Sequence, residues 1–123
     1  MSAGNWFETM RKAHDLRTVN ITTSSALTTY TVRTGGATYN FIQDRVINVS
    51  TTSTNTITIT IPDGTYSGQR LNINYIAEAG NADVAFTVTS GAATTLTAAT
   101  GYTILEWTHD SCDGWVEIKA SAT

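Results

Sequence analysis

The chain is poor in the residues that usually form a chemical site or a covalent cross-link. It has one cysteine and one proline in 123 residues, and charged side chains make up 14% of it, against roughly 25% in an average domain. A single Cys112 excludes an internal disulfide and a cysteine-based metal cage. No apolar run approaches the roughly 18 residues of a membrane helix, and no signal-peptide pattern follows Met1. We therefore expect no membrane partner and synthesis in a reducing cytoplasm.

The chain also lacks a surplus of positive charge. Its net charge is −3, so it has no basic field to neutralise phosphates, and a nucleic acid partner is not expected. The charge is unevenly spread, however, because residues 1–45 sum to +2 and residues 46–123 sum to −5. This asymmetry suggests two surfaces with different roles.

Threonine is abundant, with 25 residues in the chain, and its β-branched side chain favours extended backbone. The length fits one domain, and from Val19 onward apolar residues recur with a period of two. The clearest strand is at 55–61, where Ile57, Ile59 and Ile61 share one face and threonines share the other. Further strands are predicted at 26–33, 39–49, 69–77, 84–89, 94–97, 102–108 and 115–119.

These short strands predict an all-β fold, a single β-sandwich of jelly-roll type over residues 19–123. No repeat of 20 to 50 residues stands out, which argues against a solenoid. Threonine faces without lysine or glutamate protect sheet edges poorly. We therefore expect the edges to be covered by neighbours in an oligomer or by the N-terminal segment.

Residues 1–18 form a different segment. Asn5 is a candidate N-cap with Glu8 three residues later, and apolar residues follow at helical spacing, so a short helix or arm is predicted over about Trp6 to Leu16. Such a helix is marginal alone, and its apolar face packs either on this β-domain or on another chain. The candidate partner-binding residues are Trp6, Phe7, Met10, Arg11 and Lys12.

The sequence offers little catalytic chemistry, and we expect neither an enzyme nor a cofactor. His14 and His109 lack metal-ligand spacing, and His109 with Cys112 in one turn does not make a triad. A small hydrolase would have to use carboxylates that are scattered along the chain, namely Glu78, Asp83, Glu106 and Glu117. Trp107 and Trp115 are expected to be buried rather than exposed for stacking on sugars.

Four segments in the second half of the chain resemble bacteriophage virion proteins. They are two strands separated by P-D-G-x-x-x-G-Q-R at 58–73, a short segment at 96–98, an aromatic-ended strand at 102–107, and a D-G-W-V-E strand at 113–117. The combination is similar to head decoration (cement) proteins of the jelly-roll-like type and to modules of phage tail fibres. It covers about half the chain.

The resemblance implies a homotrimer on the outer surface of the capsid, with the N-terminal segment contacting the major capsid protein. Gln69 and Arg70, which begin a strand after a tight turn, are the candidate subunit-interface residues. The alternative is a tail-fibre or receptor-binding module that recognises a surface glycan through polar loops such as residues 80–83.

Overall fold

A computed structural model describes residues 16–24, 26–36 and 40–122 of the chain. These residues form nine strands, and the predicted all-β fold is confirmed. The strands are β1 (Leu16–Thr23), β2 (Thr29–Thr31), β3 (Thr34–Gly35), β4 (Asn40–Thr51), β5 (Ile57–Ile61), β6 (Arg70–Ala77), β7 (Val84–Val88), β8 (Tyr102–Trp107) and β9 (Trp115–Ser121).

The strands form two sheets between which the chain passes repeatedly. The first sheet has the order β1-β4-β6-β8-β9, with β3 also paired to β4, and the second has the order β2-β5-β7. Strands β1, β4 and β6 run parallel, as do β2, β5 and β7. Residues 16–88 therefore make three successive coils, and residues paired between coils lie 26 to 29 positions apart. We call this part the coil stack.

The jelly-roll prediction is wrong in its strand pairing. A jelly roll is built from antiparallel strands, whereas the coil stack pairs its strands in parallel. Parallel neighbours need a crossover connection, and here each crossover carries a strand of the opposite sheet. The argument against a solenoid was wrong for the same reason, since the chain returns to each sheet once per coil.

A short repeated motif holds the three coils in register. Val19-Asn20-Ile21, Ile47-Asn48-Val49 and Ile73-Asn74-Tyr75 pair residue for residue across β1, β4 and β6. The apolar members face inward and the asparagines face outward. Asn48 Nδ2 donates to Asn20 Oδ1, and Asn74 Nδ2 donates to Asn48 Oδ1, each at 3.1 Å. We call Asn20, Asn48 and Asn74 the asparagine ladder.

The two sheets share one apolar core. Ile57, Ile59 and Ile61 are fully buried, which confirms the inward face predicted for β5. They belong to the same cluster as the inward residues of β4, β6 and β8. Burying an isoleucine side chain contributes about 1.5–3 kcal/mol, so this alternation across facing sheets is the main stabilising term of the fold.

An antiparallel hairpin closes the C-terminal side of the first sheet. Strand β8 pairs with β6 and with β9, and Gly114 has a positive φ of 67° in the connecting turn. Trp107 and Trp115 are paired across the hairpin, with ring centroids 5.5 Å apart in an edge-to-face arrangement. Trp115 Nε1 donates to the Pro62 carbonyl oxygen at 2.8 Å. The predicted burial of both tryptophans is confirmed.

The boundaries differ from the predicted ones at two places. Strand β1 begins at Leu16, inside the predicted N-terminal arm, and the rest of the predicted helix lies outside the described residues. Leu16 and Arg17 are extended because they pair with β4. The strand predicted at 94–97 is reduced to one bridge between Leu96 and Val84.

Replacing the middle of the asparagine ladder tests its role in coil stacking. Asn48→Ala removes two side-chain hydrogen bonds, and we expect it to lower the free energy of unfolding by about 1–2 kcal/mol. Urea unfolding followed by tryptophan fluorescence measures the loss.

Asn72→Ala is the matched control, on the same face of β6. Its buried Oδ1 has no hydrogen-bond partner, so we expect a change below about 0.5 kcal/mol. Equal losses in the two variants would contradict a stabilising ladder.

Candidate functional site

The predicted partner-binding residues precede one end of the coil stack. Trp6, Phe7, Met10, Arg11 and Lys12 lie outside the described residues, and the structure neither supports nor opposes their assignment. The described chain begins at Leu16, the first residue of β1. The strand nearest to them in sequence is therefore the edge strand of the first sheet.

That end of the stack is open in the part of the chain that the structure describes. There, β1 pairs only with β4, and β2 pairs only with β5. Neither strand contains lysine or proline, which often protect edges. Leu16, the first residue of β1, and Leu27, two residues before β2, are both exposed. Asn20 ends the ladder, and no described residue accepts a hydrogen bond from its Nδ2. We call the outer edges of β1 and β2 the open end; its backbone groups suit pairing with a further strand.

A buried carboxylate anchors both edge strands to the second coil. Asp44 in β4 is 2% exposed, and its carboxylate accepts hydrogen bonds from Arg17 Nε, from Tyr30 OH at 2.6 Å and from Arg33 N at 2.9 Å. Arg17 Nη2 also donates to Tyr30 OH at 3.0 Å. Because Arg17 lies in β1 and Tyr30 in β2, this cluster joins the two sheets just inside the open end.

The cluster shifts the ionisation of its members. Burial, together with the hydrogen bond to Asp44 and the charge of that carboxylate, raises the pKa of Tyr30 to about 12, although Arg17 opposes the shift. Tyr30 therefore keeps its hydroxyl proton at neutral pH and donates a hydrogen bond to Asp44. The carboxylate is enclosed, and its three donors come from β1, from β2 and from the residue that follows β2 by two positions, so the cluster is a structural anchor.

The two candidate interface residues have different environments. Gln69 is 2% exposed, and its amide bonds within the protein, donating to the Thr34 carbonyl oxygen and accepting from Thr65 N. Its side chain is thus not available to a second subunit. Arg70 is exposed and pairs with Glu106 at 3.3 Å. Of this pair of residues, only Arg70 can contact another chain through its side chain.

Three of the four scattered carboxylates have partners within the protein. Glu106 pairs with Arg70, Glu78 accepts a hydrogen bond from Ala99 N, and Glu117 accepts from Thr94 and Thr103. Burial would raise the pKa of Glu117, but these hydrogen bonds outweigh it and lower the pKa. Burial raises the pKa of Tyr75, and the charges of Glu78 and Asp83 add to this shift, so these two carboxylates lie near the same hydroxyl group. Within residues 16–24, 26–36 and 40–122, no three His, Cys, Asp or Glu side chains are grouped as metal ligands.

His109 and Cys112 lie in the β8–β9 turn, where Cys112 N donates to the His109 carbonyl oxygen. This contact is between backbone atoms, and it supplies no base for the thiol. The described part of the chain contains no helix long and apolar enough to cross a membrane. The sequence matches no protein-family model and no curated protein, so no relative assigns a role to any of these side chains.

The sequence indicated that sheet edges would be poorly protected, but it did not show that they are the edges of β1 and β2, and it gave no sign of the anchor. The signal for the stack was present in the three apolar-Asn-apolar triplets, spaced by 28 and 26 residues. The anchor left no local signal, because Arg17, Tyr30 and Asp44 are separated by 13 or more positions and meet only when the coils stack.

Neutralising the anchor tests whether it holds the open end together. Asp44→Asn leaves Arg17 with a partly buried, unmatched charge, and we expect the free energy of unfolding to fall by about 2–4 kcal/mol. Glu106→Gln, at the exposed pair with Arg70, is the control and should cost about 0–1 kcal/mol. Chemical denaturation measures both; a loss for Asp44→Asn no larger than the control's would refute the anchor.

The raised pKa of Tyr30 makes a prediction about alkaline pH. A tyrosine whose folded pKa is about 12 and whose unfolded pKa is about 10 stabilises the fold fully below pH 10, and this contribution is lost as pH rises toward 12. Tyr30→Phe should therefore lose less stability than the wild type between these pH values. Denaturation midpoints measured across that range would show parallel curves if Tyr30 were an ordinary surface phenol.

Proposed function

We propose that this protein is a structural virion protein, a decoration or cement protein that binds the outer surface of a phage capsid. The observation that supports the proposal is the open end, an unprotected strand edge that directly follows the predicted partner-binding residues. A stack of coils needs a cover at each terminal coil. The hairpin of β8 and β9 covers one side of the first sheet, and the capsid protein would cover the other.

In this proposal the contact combines two kinds of chemistry. Trp6, Phe7 and Met10 fill an apolar site on the major capsid protein, and Arg11 and Lys12 meet its acidic rim. The edge of β1 adds main-chain hydrogen bonds to an extended capsid segment. The anchor formed by Arg17, Tyr30 and Asp44 keeps that edge rigid before binding, which reduces the ordering cost.

The assembly that we propose is a homotrimer, with Arg70 as a candidate contact between subunits. Three linked contacts on one shell hold far more tightly than a single contact, because the second and third form at high effective concentration. The protein would add no chemistry to the particle, and its role would be to bridge neighbouring capsomers.

Shell binding tests the proposal directly. The double variant Trp6→Ala with Phe7→Ala should stay folded and lose at least about 90% of its binding to undecorated shells in a co-sedimentation assay, because interface aromatics contribute most of the binding energy. A deletion should stop at residue 15, since β1 begins at Leu16 and a longer cut would remove the anchor residue Arg17.

Lys119→Ala, at an exposed cation of β9 to which the proposal assigns no contact, is the control on the β-domain and should bind shells like the wild type. Immunogold microscopy with antibody against residues 19–123 gives the location. Label over the shell supports the proposal, whereas label confined to the tail would replace it with the receptor-binding alternative. Unchanged shell binding by the double variant would move the contact away from the N-terminal segment.

A further inference from the structure

A groove lies between two turns on the C-terminal side of the coil stack. One turn, at 62–69, leads into β6, and the other, at 108–114, joins β8 to β9. The groove has a volume of about 380 Å³, which is within the range of small-ligand sites. Its polar and aromatic lining residues are Asp63, Thr65, Tyr66, Ser67, Trp107, His109 and Asp110. We call it the Tyr66 groove.

The groove is rigid before any ligand arrives. Gly68 N donates to the Trp107 carbonyl oxygen and Trp107 N donates to the Gln69 carbonyl oxygen, each at 2.8 Å. Ser67 Oγ donates to the Thr108 carbonyl oxygen, which ties the two turns together again. Gly64 packs against the indole of Trp107, where a methyl group would overlap the ring. A preformed site of this kind loses little entropy when it binds.

Tyr66 supplies an exposed aromatic face. It is 49% exposed and is the one large aromatic side chain exposed among the residues whose side chains the structure describes. Trp107 and Trp115, the other aromatics of this region, are buried. An amphipathic ring with an apolar face and a hydroxyl group suits a ligand that has both C–H and O–H groups.

The groups around Tyr66 include both acceptors and a donor. The carboxylate of Asp63 has no hydrogen-bond or ion-pair partner among the described residues. His109 Nδ1 lies 3.0 Å from Ser111 N, which donates, and 2.8 Å from Asp110 Oδ1, which only accepts. The two contacts call for opposite protonation of Nδ1, so Nε2 is available to a ligand as either a donor or an acceptor.

This mixture selects one class of ligand. An anionic ligand would be repelled by Asp63 and Asp110. An ammonium or guanidinium group has only donors, so it would pair with the carboxylates but would leave the donor capacity of the Tyr66 hydroxyl and of His109 unused. Hydroxyl groups both donate and accept, and they satisfy the carboxylates and the imidazole together.

We propose that the Tyr66 groove binds a neutral carbohydrate, a one- or two-residue unit of a surface glycan. Tyr66 stacks on a sugar ring, while Asp63, Asp110 and His109 bond its hydroxyl groups. The groove adjoins β6 and β8, and β8 lies three strand spacings, about 14 Å, from β1. The glycan site is thus separate from the open end, and the inference does not rest on the proposed capsid contact.

The test is an array of neutral and sialylated glycans probed with the full chain, followed by calorimetric titration of the best neutral oligosaccharide. We expect binding to neutral glycans alone. Tyr66→Ala and Asp63→Asn should each weaken it by about tenfold or more, and Tyr66→Phe, which keeps the stacking ring, should weaken it by less than about threefold. Both positions are exposed, so we expect all three variants to fold.

Asn81→Ala, in the other polar loop considered as a glycan site, is the control and should bind like the wild type. No neutral ligand on the array, binding that survives Tyr66→Ala, or loss of binding only in Asn81→Ala would each overturn the proposal. The same Tyr66→Ala protein should still bind shells, so failure of the glycan site and failure of the capsid contact give different results.

Discussion

The register between coils is the constraint on which the rest of the structure depends. A shift of one residue between β1, β4 and β6 would turn every inward side chain of the coil stack outward in the first sheet. A shift of two residues would keep the apolar face inward but would place Asn48 opposite Thr18 or Thr22 if β1 moved, or opposite Asn72 or Ile76 if β6 moved. Of these registers, only the one with Asn72 would keep an amide partner for Asn48 on the strand that moved. The apolar core therefore selects the face, and the asparagines favour one register among those that the core allows.

Stacking in register produces a molecule with two unlike sides. Past β7, the chain leaves the coil stack and adds an antiparallel hairpin, whose paired tryptophans and Trp115–Pro62 hydrogen bond close that side. At β1 no described strand follows, and the asparagine ladder ends at Asn20, whose Nδ2 has no acceptor among the residues that the structure describes. The buried Asp44 compensates locally, because it ties Arg17 and Tyr30 to the second coil and keeps the outermost strands in place.

Local patterns in the sequence predicted the strands better than their partners. The period of two identified β5 and its inward isoleucines, and turn chemistry at Gly114 identified the terminal hairpin. The same period is shared by parallel and antiparallel strands, so it could not distinguish a jelly roll from a coil. Gln69 shows the limit for single residues: a polar side chain after a glycine suggests a surface position, but here it is buried because the 62–69 turn folds over it and uses its amide.

The unequal charge of the two halves now has a structural counterpart. Arg17 is matched by Asp44, and Arg11 and Lys12 are balanced in number by Glu8 and Asp15, so the surplus of the first 45 residues comes from Arg33 and Arg45. At the Tyr66 groove, Asp63 and Asp110 have no lysine or arginine among the lining residues. Residues 1–15 add nothing to the surplus of the first 45 residues, so net charge does not set the orientation of the N-terminal segment. The proposed orientation, in which the open end meets the shell and the groove faces solvent, rests instead on the unpaired edge of β1 and on the position of the groove away from that edge.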